Sequence, residues 1–205
     1  MGKEVEDESK LYEHSKAWFE MYWATDLQAC GSSLMEQRRY FEVLATLRSS
    51  VAWKTWLTVC DVGCGDGTFL QKLAEACGMA TVTGIDFSET ALQKARMRLP
   101  SGTFSLLDFR SVDWGQLSQF DLVLCMEVLG AFDTYQLQVL ASVKGLVKDG
   151  GYLLISQRAT SDWPVQFAKY QCQGFVIQST KMFAADVITT GCPGYIILLK
   201  KEKTI

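Results

Sequence analysis

What this chain lacks narrows its possibilities quickly. It has a single histidine, His14, and no Cys-x-x-Cys pair among its seven cysteines, so the usual ligand sets of a structural zinc site are missing. The odd cysteine count, with Cys60 and Cys125 inside apolar runs, points to free thiols in a reducing cytosol rather than a disulfide scaffold. Positive charge is not in excess: 20 Lys and Arg against 23 Asp and Glu leave a net charge of −3, which offers no basic footprint for nucleic acid or an anionic membrane. No apolar run reaches the length of a membrane span. The first eight residues are acidic and polar, unlike a signal peptide, and Glu6 stands where a myristoylation site needs Ser or Thr. Repeats and low-complexity tracts are absent as well. What remains, 205 residues with 48% hydrophobic and 21% charged, fits a single globular domain, residues 1–205, expected in the cytoplasm.

Against these absences one stretch stands out. Leu57, Thr58 and Val59 lead into Cys60-Asp61-Val62-Gly63-Cys64-Gly65-Asp66-Gly67-Thr68, and an amphipathic segment then runs to Cys77 and stops at Gly78. The pattern predicts strand, tight glycine turn, helix, with ligand-accessible backbone at the carboxyl end of the first strand of an α/β sheet. A dinucleotide fingerprint spaces its glycines G-x-G-x-x-G, whereas here the third falls one place early, at Gly67; a phosphate-binding loop needs a lysine, and the turn has none.

From residue 57 onward strand and helix signals alternate, as in an α/β sheet. Strands are predicted over Leu57–Val62, Ala80–Asp86, Gly102–Asp108, Phe120–Met126 and Tyr152–Ser156. Ser88 is placed to cap a helix over Glu89–Leu99, and Asp133 to cap one over Thr134–Val147. A short helix over Pro164–Gln171 leads to strands over Phe175–Phe183 and Gly194–Lys200, joined by a turn too brief for a crossover and therefore antiparallel. Two helices precede the sheet, one over residues 9–23 and one opened by the capping box Ser33-Leu34-Met35-Glu36 and running to about Leu47.

The acid followed by G-x-G-x-G, in Asp61, Gly63, Gly65 and Gly67, resembles motif I of the class I S-adenosylmethionine-dependent methyltransferases. The resemblance covers roughly residues 55–200, and Lys148-Asp149-Gly150-Gly151 matches that family's usual helix-to-strand turn. It implies a doubly wound, mostly parallel seven-stranded sheet of order 3-2-1-4-5-7-6 with an antiparallel C-terminal hairpin. An N-terminal helical cap over 1–50 would precede a core over 51–205, and the cofactor would be S-adenosyl-L-methionine. Asp86, nineteen residues after Gly67, can accept hydrogen bonds from both ribose hydroxyls. Asp108 either takes the adenine amino group, with Phe87 and Phe109 flanking the ring, or is a solvated turn residue. Asp61 would face the amino end of the ligand. Gly63, Cys64, Gly65 and, at the end of the fourth strand, Cys125 complete the expected cofactor-binding set.

That fourth strand ends in Cys125-Met126-Glu127-Val128-Leu129-Gly130-Ala131. It looks like the C-M-E-V-L-E-H segment of methyltransferases related to the ubiquinone O-methyltransferases and the small-RNA 2′-O-methyltransferases, in which two glutamates and a histidine hold a divalent metal. Gly130 and Ala131 replace the second glutamate and the histidine. One carboxylate does not make a cation site, so no catalytic metal is expected. The Asn/Asp-Pro-Pro-Tyr sequence of nucleic-acid and glutamine amino-group methyltransferases is also missing. The expected acceptor is therefore a small molecule rather than nucleic acid or a membrane component.

Candidate bases are Glu127 and His14, with a structural carboxylate and an exposed polar residue as the respective alternatives. Tyr12, Trp18 and Tyr22 are candidate lid or substrate residues, or else packing; Trp18 and Tyr22 share one helix face. The same cofactor motifs would serve an enzyme that transfers the aminocarboxypropyl chain or catalyses a cyclisation. They would also suit a non-catalytic subunit, although intact Asp61, Gly63, Gly65, Asp86 and Asp108 argue against that. Neither the accepting atom nor the oligomeric state follows from the sequence.

Overall fold

The computed structural model describes residues 8–25, 34–52, 57–78, 81–108, 114, 117–129, 136–159, 161–183 and 193–203. The expectations attached to Phe109, Gly130, Ala131 and the Asp133 cap lie outside the described residues. Two helices, α1 (Glu8–Ala24) and α2 (Leu34–Ser50), precede β1 (Thr58–Val62). There follow α3 (Thr68–Cys77), β2 (Thr81–Asp86), α4 (Glu89–Arg98), β3 (Thr103–Leu106), β4 (Phe120–Met126), α5 (Gln136–Gly145), β5 (Val147–Arg158), α6 (Trp163–Gln171), β6 (Phe175–Phe183) and β7 (Gly194–Lys201).

The strands form one sheet in the order β3-β2-β1-β4-β5-β7-β6, as the resemblance implies. Pairing is parallel from β3 through β5, and β7 runs antiparallel to both β5 and β6. Both faces are covered, which is why the central strands are apolar at nearly every position. Cys60, Val62, Val123, Cys125, Leu153 and Ile155 pack on one face, beneath Val139, Leu140 and Val143 of α5. Val59, Leu122, Leu124 and Leu154 alternate onto the other, beneath α2, α3 and α4 through Val43, Leu47, Leu70, Leu73 and Leu92.

Several boundaries differ from the sequence expectation, among them the end of the fifth helix, at Gly145 rather than Val147, and two strand limits near the site. The third strand stops at Leu106, two residues short of Asp108, although Leu107 N still donates to Asp86 O (2.9 Å) and keeps the chain beside β2. The segment Lys148-Asp149-Gly150-Gly151 is not a turn ahead of a strand that starts at Tyr152. It belongs to β5, whose pairing with β4 begins at Phe120↔Val147 and shifts register before Leu122↔Tyr152. Gly150, at φ +76°, supplies the left-handed residue that this bulge needs. Lys148 Nζ reaches Asp121 Oδ2 (3.1 Å), which ties the bulge to β4.

α4 begins where the sequence places it, because Ser88 accepts a hydrogen bond from Ala91 N (3.1 Å) and is itself fully buried. Ser88→Ala should lower stability by about 1 kcal/mol, read as a lower urea midpoint with unchanged slope.

Candidate cofactor site

The glycine turn after β1 is stitched to β2 first through backbone. Gly63 N and Cys64 N both donate to Ile85 O (2.8 and 3.1 Å). Gly63, Gly65 and Gly67 all take positive φ, so each position is a left-handed one that only glycine adopts cheaply. Space excludes a side chain as well. A Cβ on Gly65 would lie 2.7 Å from the Trp23 ring, and one on Gly67 would lie 3.2 Å from the backbone of Ala95. Asp66, between them, is structural: Oδ1 accepts from Thr68 N (3.1 Å) at the start of α3, and Oδ2 pairs with Arg98 of α4 (2.8 Å).

Asp61 and Asp86 stand in the last two residues of β1 and β2 beside this turn, and Asp108 lies two residues beyond β3. Asp86 is 5% exposed; Oδ2 accepts from Gly65 N (2.9 Å) and Oδ1 from Ser88 N (3.0 Å). Burial pushes its pKa up to about 6, against the opposing pull of the backbone N–H groups of Ser88, Gly65 and Phe87. Asp61 is 1% exposed, and its Oδ1 has no hydrogen-bond partner. Burial, then the nearby charge of Asp86, holds its pKa well above the ordinary carboxylate value. Asp108 is the most accessible of the three, its Oδ2 paired with Lys16 Nζ (2.8 Å).

The cysteines of the expected set are core residues. Cys64 contributes its backbone to the turn while its side chain packs with Phe69 and Phe104, and Cys125 lies under α5. Burial raises the thiol pKa of both.

Helix α1 lies across the same strand ends. Lys16, Phe19, Glu20 and Trp23 form one stripe at helical spacing and all face the site. Lys16 holds Asp108, the Phe19 ring meets Phe87 edge-on at 5.6 Å, Glu20 Oε1 accepts from Glu89 N (2.9 Å), and Trp23 covers Gly65. Trp18 and Tyr22 instead stack on each other (5.4 Å), with Trp18 48% exposed, and His14 is exposed on the side of α1 away from Trp23. Tyr12 also lies in α1. Sequence reasoning missed the roles of Lys16 and Glu20. The signal available was the 16–19–20–23 spacing, obscured by the aromatic residues on the adjoining face.

The last sequence-predicted residue, Glu127, sits just beyond β4 with φ +60°. Its oxygens accept from Arg158 N (2.8 Å), Arg158 Nε (3.1 Å) and Gln157 Nε2 (3.4 Å), and the next residue, Val128, packs against Gly63 of the glycine turn.

The sequence matches the family described as Methyltransferase domain over residues 54–190. The chain belongs to that family. It is 37% identical over 102 residues to a ubiquinone biosynthesis O-methyltransferase of Thiobacillus denitrificans, an alignment covering 48% of this chain and 43% of the relative. The chain thus spans less than half the length of the curated relatives it matches. In fold it is similar to the N-methyltransferase NodS of Bradyrhizobium japonicum in complex with S-adenosyl-L-homocysteine (TM-score 0.74, 17% identity, covering 91% of this chain and 98% of that one). It is also similar to the [4+2]-cyclase SpnF (TM-score 0.69, 13% identity, 96% of each chain). Both likenesses establish the seven-stranded methyltransferase fold.

The residues present fit the family's cofactor. The unpartnered Asp61 Oδ1 suits a ligand ammonium, and Asp86 keeps lone pairs for hydroxyl donors. Two outcomes follow. Because the ligand would bond to the ionised carboxylates, and Asp86 loses its charge as pH falls through about 6, S-adenosylhomocysteine affinity should drop roughly tenfold between pH 7 and pH 5 by calorimetry. An Asp86→Ala variant should bind weakly at both. Because a partly exposed ion pair is worth about 1 kcal/mol or less, Lys16→Ala should free Asp108 and tighten the same ligand roughly two- to fivefold. Weaker binding instead would put Lys16 on the ligand itself.

Proposed function

We propose that this chain transfers a methyl group from S-adenosyl-L-methionine to a small-molecule acceptor without a catalytic metal. The observation that carries the reading is the buried, unpartnered Asp61 Oδ1 beside the glycine turn. A buried carboxylate oxygen without a donor is costly and calls for a partner, which the ammonium of the cofactor's amino-acid end would supply. Gly63, Cys64 and Gly65 would offer backbone to the same end. Asp86 would take the ribose hydroxyls, and Asp108, released from Lys16, the adenine amino group, with Phe87 and Phe109 bordering the ring.

The cofactor supplies an electrophilic methyl on sulfonium. The chain's own work is to hold the acceptor in line with it and keep water out. Helix α1, as part of a cap over residues 1–50 on a single domain, would serve as the cover. Burial of a side chain such as Trp23 contributes about 1.5–3 kcal/mol, more than the Lys16 pair, so the cover is held chiefly by its apolar stripe. Tyr12, Trp18 and Tyr22 would extend that cover toward the acceptor. Glu127 is the nearer candidate base to the strand ends, and His14 the more remote.

The net charge of −3 favours a small acceptor over nucleic acid. The described cysteines Cys60, Cys64, Cys77, Cys125 and Cys172 are free thiols, which fits a cytoplasmic setting. No helix among the described residues is long and apolar enough to cross a membrane.

The test is product analysis with a panel of phenols and amines in the presence of EDTA. Turnover should yield S-adenosylhomocysteine and a methylated acceptor. Methylthioadenosine would mean transfer of the aminocarboxypropyl chain, and activity restored only by magnesium would mean a metal-assisted reaction.

A further inference from the structure

The carboxyl ends of β4 and β5 hold a second charged cluster that cofactor binding leaves unused. Arg39, on α2, is 3% exposed. Its Nη1 donates to Glu36 Oε2 (2.9 Å), while Nη2 stands 3.5 Å from Glu127 Oε1 without forming a hydrogen bond. Nε and Nη2 are both buried with no acceptor. These two nitrogens form one edge of the guanidinium, the edge whose parallel N–H groups match the two oxygens of a carboxylate.

Glu127 is held from the opposite side by Arg158, through both its backbone N and its Nε. It is also the one non-glycine residue among those described with positive φ, +60°. A strained backbone position of this kind persists where the surroundings enforce it, commonly at a binding or catalytic site. Glu36 and Glu127 are each 19% exposed, so solvent screens both; the Arg39 edge has no such relief. Buried donors left without acceptors are rare in native folds; Glu36 and Glu127 balance the Arg39 charge, but Nε and Nη2 still lack an acceptor at hydrogen-bond geometry.

We propose that this cluster seats a carboxylate of the methyl acceptor. Arg39 grips it in bidentate fashion through Nε and Nη2, Arg158 adds a cation at the half-exposed rim, and Glu127 positions the two arginines. The inference deepens the methyl-transfer reading and rests on it: the cluster orients an acidic acceptor at the strand ends beside the cofactor crevice.

The experiment titrates protein saturated with S-adenosylhomocysteine against 3,4-dihydroxybenzoate, its amide 3,4-dihydroxybenzamide, and catechol. The acid should bind roughly tenfold or more tightly than the amide and the catechol, as a charge-assisted pair requires. Arg39→Gln should abolish that preference. Arg158→Gln, at a more exposed position, should reduce it several-fold while leaving S-adenosylhomocysteine binding unchanged. If Arg39→Gln fails to fold, Arg39→Lys replaces it: the charge is kept but the bidentate edge is lost, and the preference should still fall.

Equal affinities for acid and amide, no detectable binding of the acid, or a preference that survives the Arg39 variants would each overturn the inference. Catechol binding as well as the acid would assign Arg39 to a phenolic oxygen and overturn the carboxylate. Normal S-adenosylhomocysteine binding without acid preference removes this inference alone; no S-adenosylhomocysteine binding by the parent protein removes the cofactor reading with it.

Discussion

The carboxylate of Asp86, shared between Gly65 N of the glycine turn and Ser88 N at the start of α4, is the contact on which the geometry of the site depends. In the turn that holds Gly63, Gly65 and Gly67 the side chain of Asp66 ties the α3 end, and the β1 end takes its shape from β2: from Ile85 O on one side and from Asp86 on the other. The same residue's carbonyl accepts from Leu107 N, which carries Asp108 to within reach although β3 has already ended. One residue thereby sets the positions of three strand ends. The cost is a buried charge, visible in a pKa lifted to about 6. Folding therefore gains nothing from ionising Asp86. With its folded-state pKa above the unfolded one, its stabilising contribution is greatest at low pH and is lost as pH rises through about 6.

The cover over this turn is assembled from unlike forces that act at one helix stripe. Trp23 brings apolar burial, Phe19 an edge-on ring contact, Glu20 a second acceptor for the exposed N–H groups that begin α4, and Lys16 an ion pair. Only the last two are exchangeable with a ligand at little cost, since each sits where solvent or another polar group can substitute. The apolar contacts and the polar ones thus hold α1 on the same strand ends by independent means.

Arg39 and Glu127 show how far apart in the chain an acceptor site can be assembled. The arginine comes from a helix ahead of the sheet, the glutamate from the end of β4, and Arg158 from the end of β5. Each is unremarkable in its local sequence. Together they form an ionic cluster that runs from buried Arg39 to half-exposed Arg158, and the hydrogen bonds of its buried end are incomplete.

The glycine turn, the Ser88 cap and the acids closing β1 and β2 were legible in the sequence because each follows from short-range rules, whereas the sheet order was what the family resemblance implies. Alternation marks strands, a positive φ demands glycine, and a hydroxyl at a helix start finds an orphan N–H. The bulge at Lys148–Gly151 was read as a turn because glycine signals both, and only pairing with β4 distinguishes them. Likewise the aromatic residues of α1 suggested a lid, but nothing local says which face meets the sheet; the stripe Lys16–Phe19–Glu20–Trp23 is selected by what Asp108, Phe87, Glu89 and Gly65 present to it. The charged cluster around Arg39 was invisible for the same reason. Sequence determines the groups a chain carries and their local conformations, whereas the partner of a buried charge is decided by which distant strand ends the fold brings to its side.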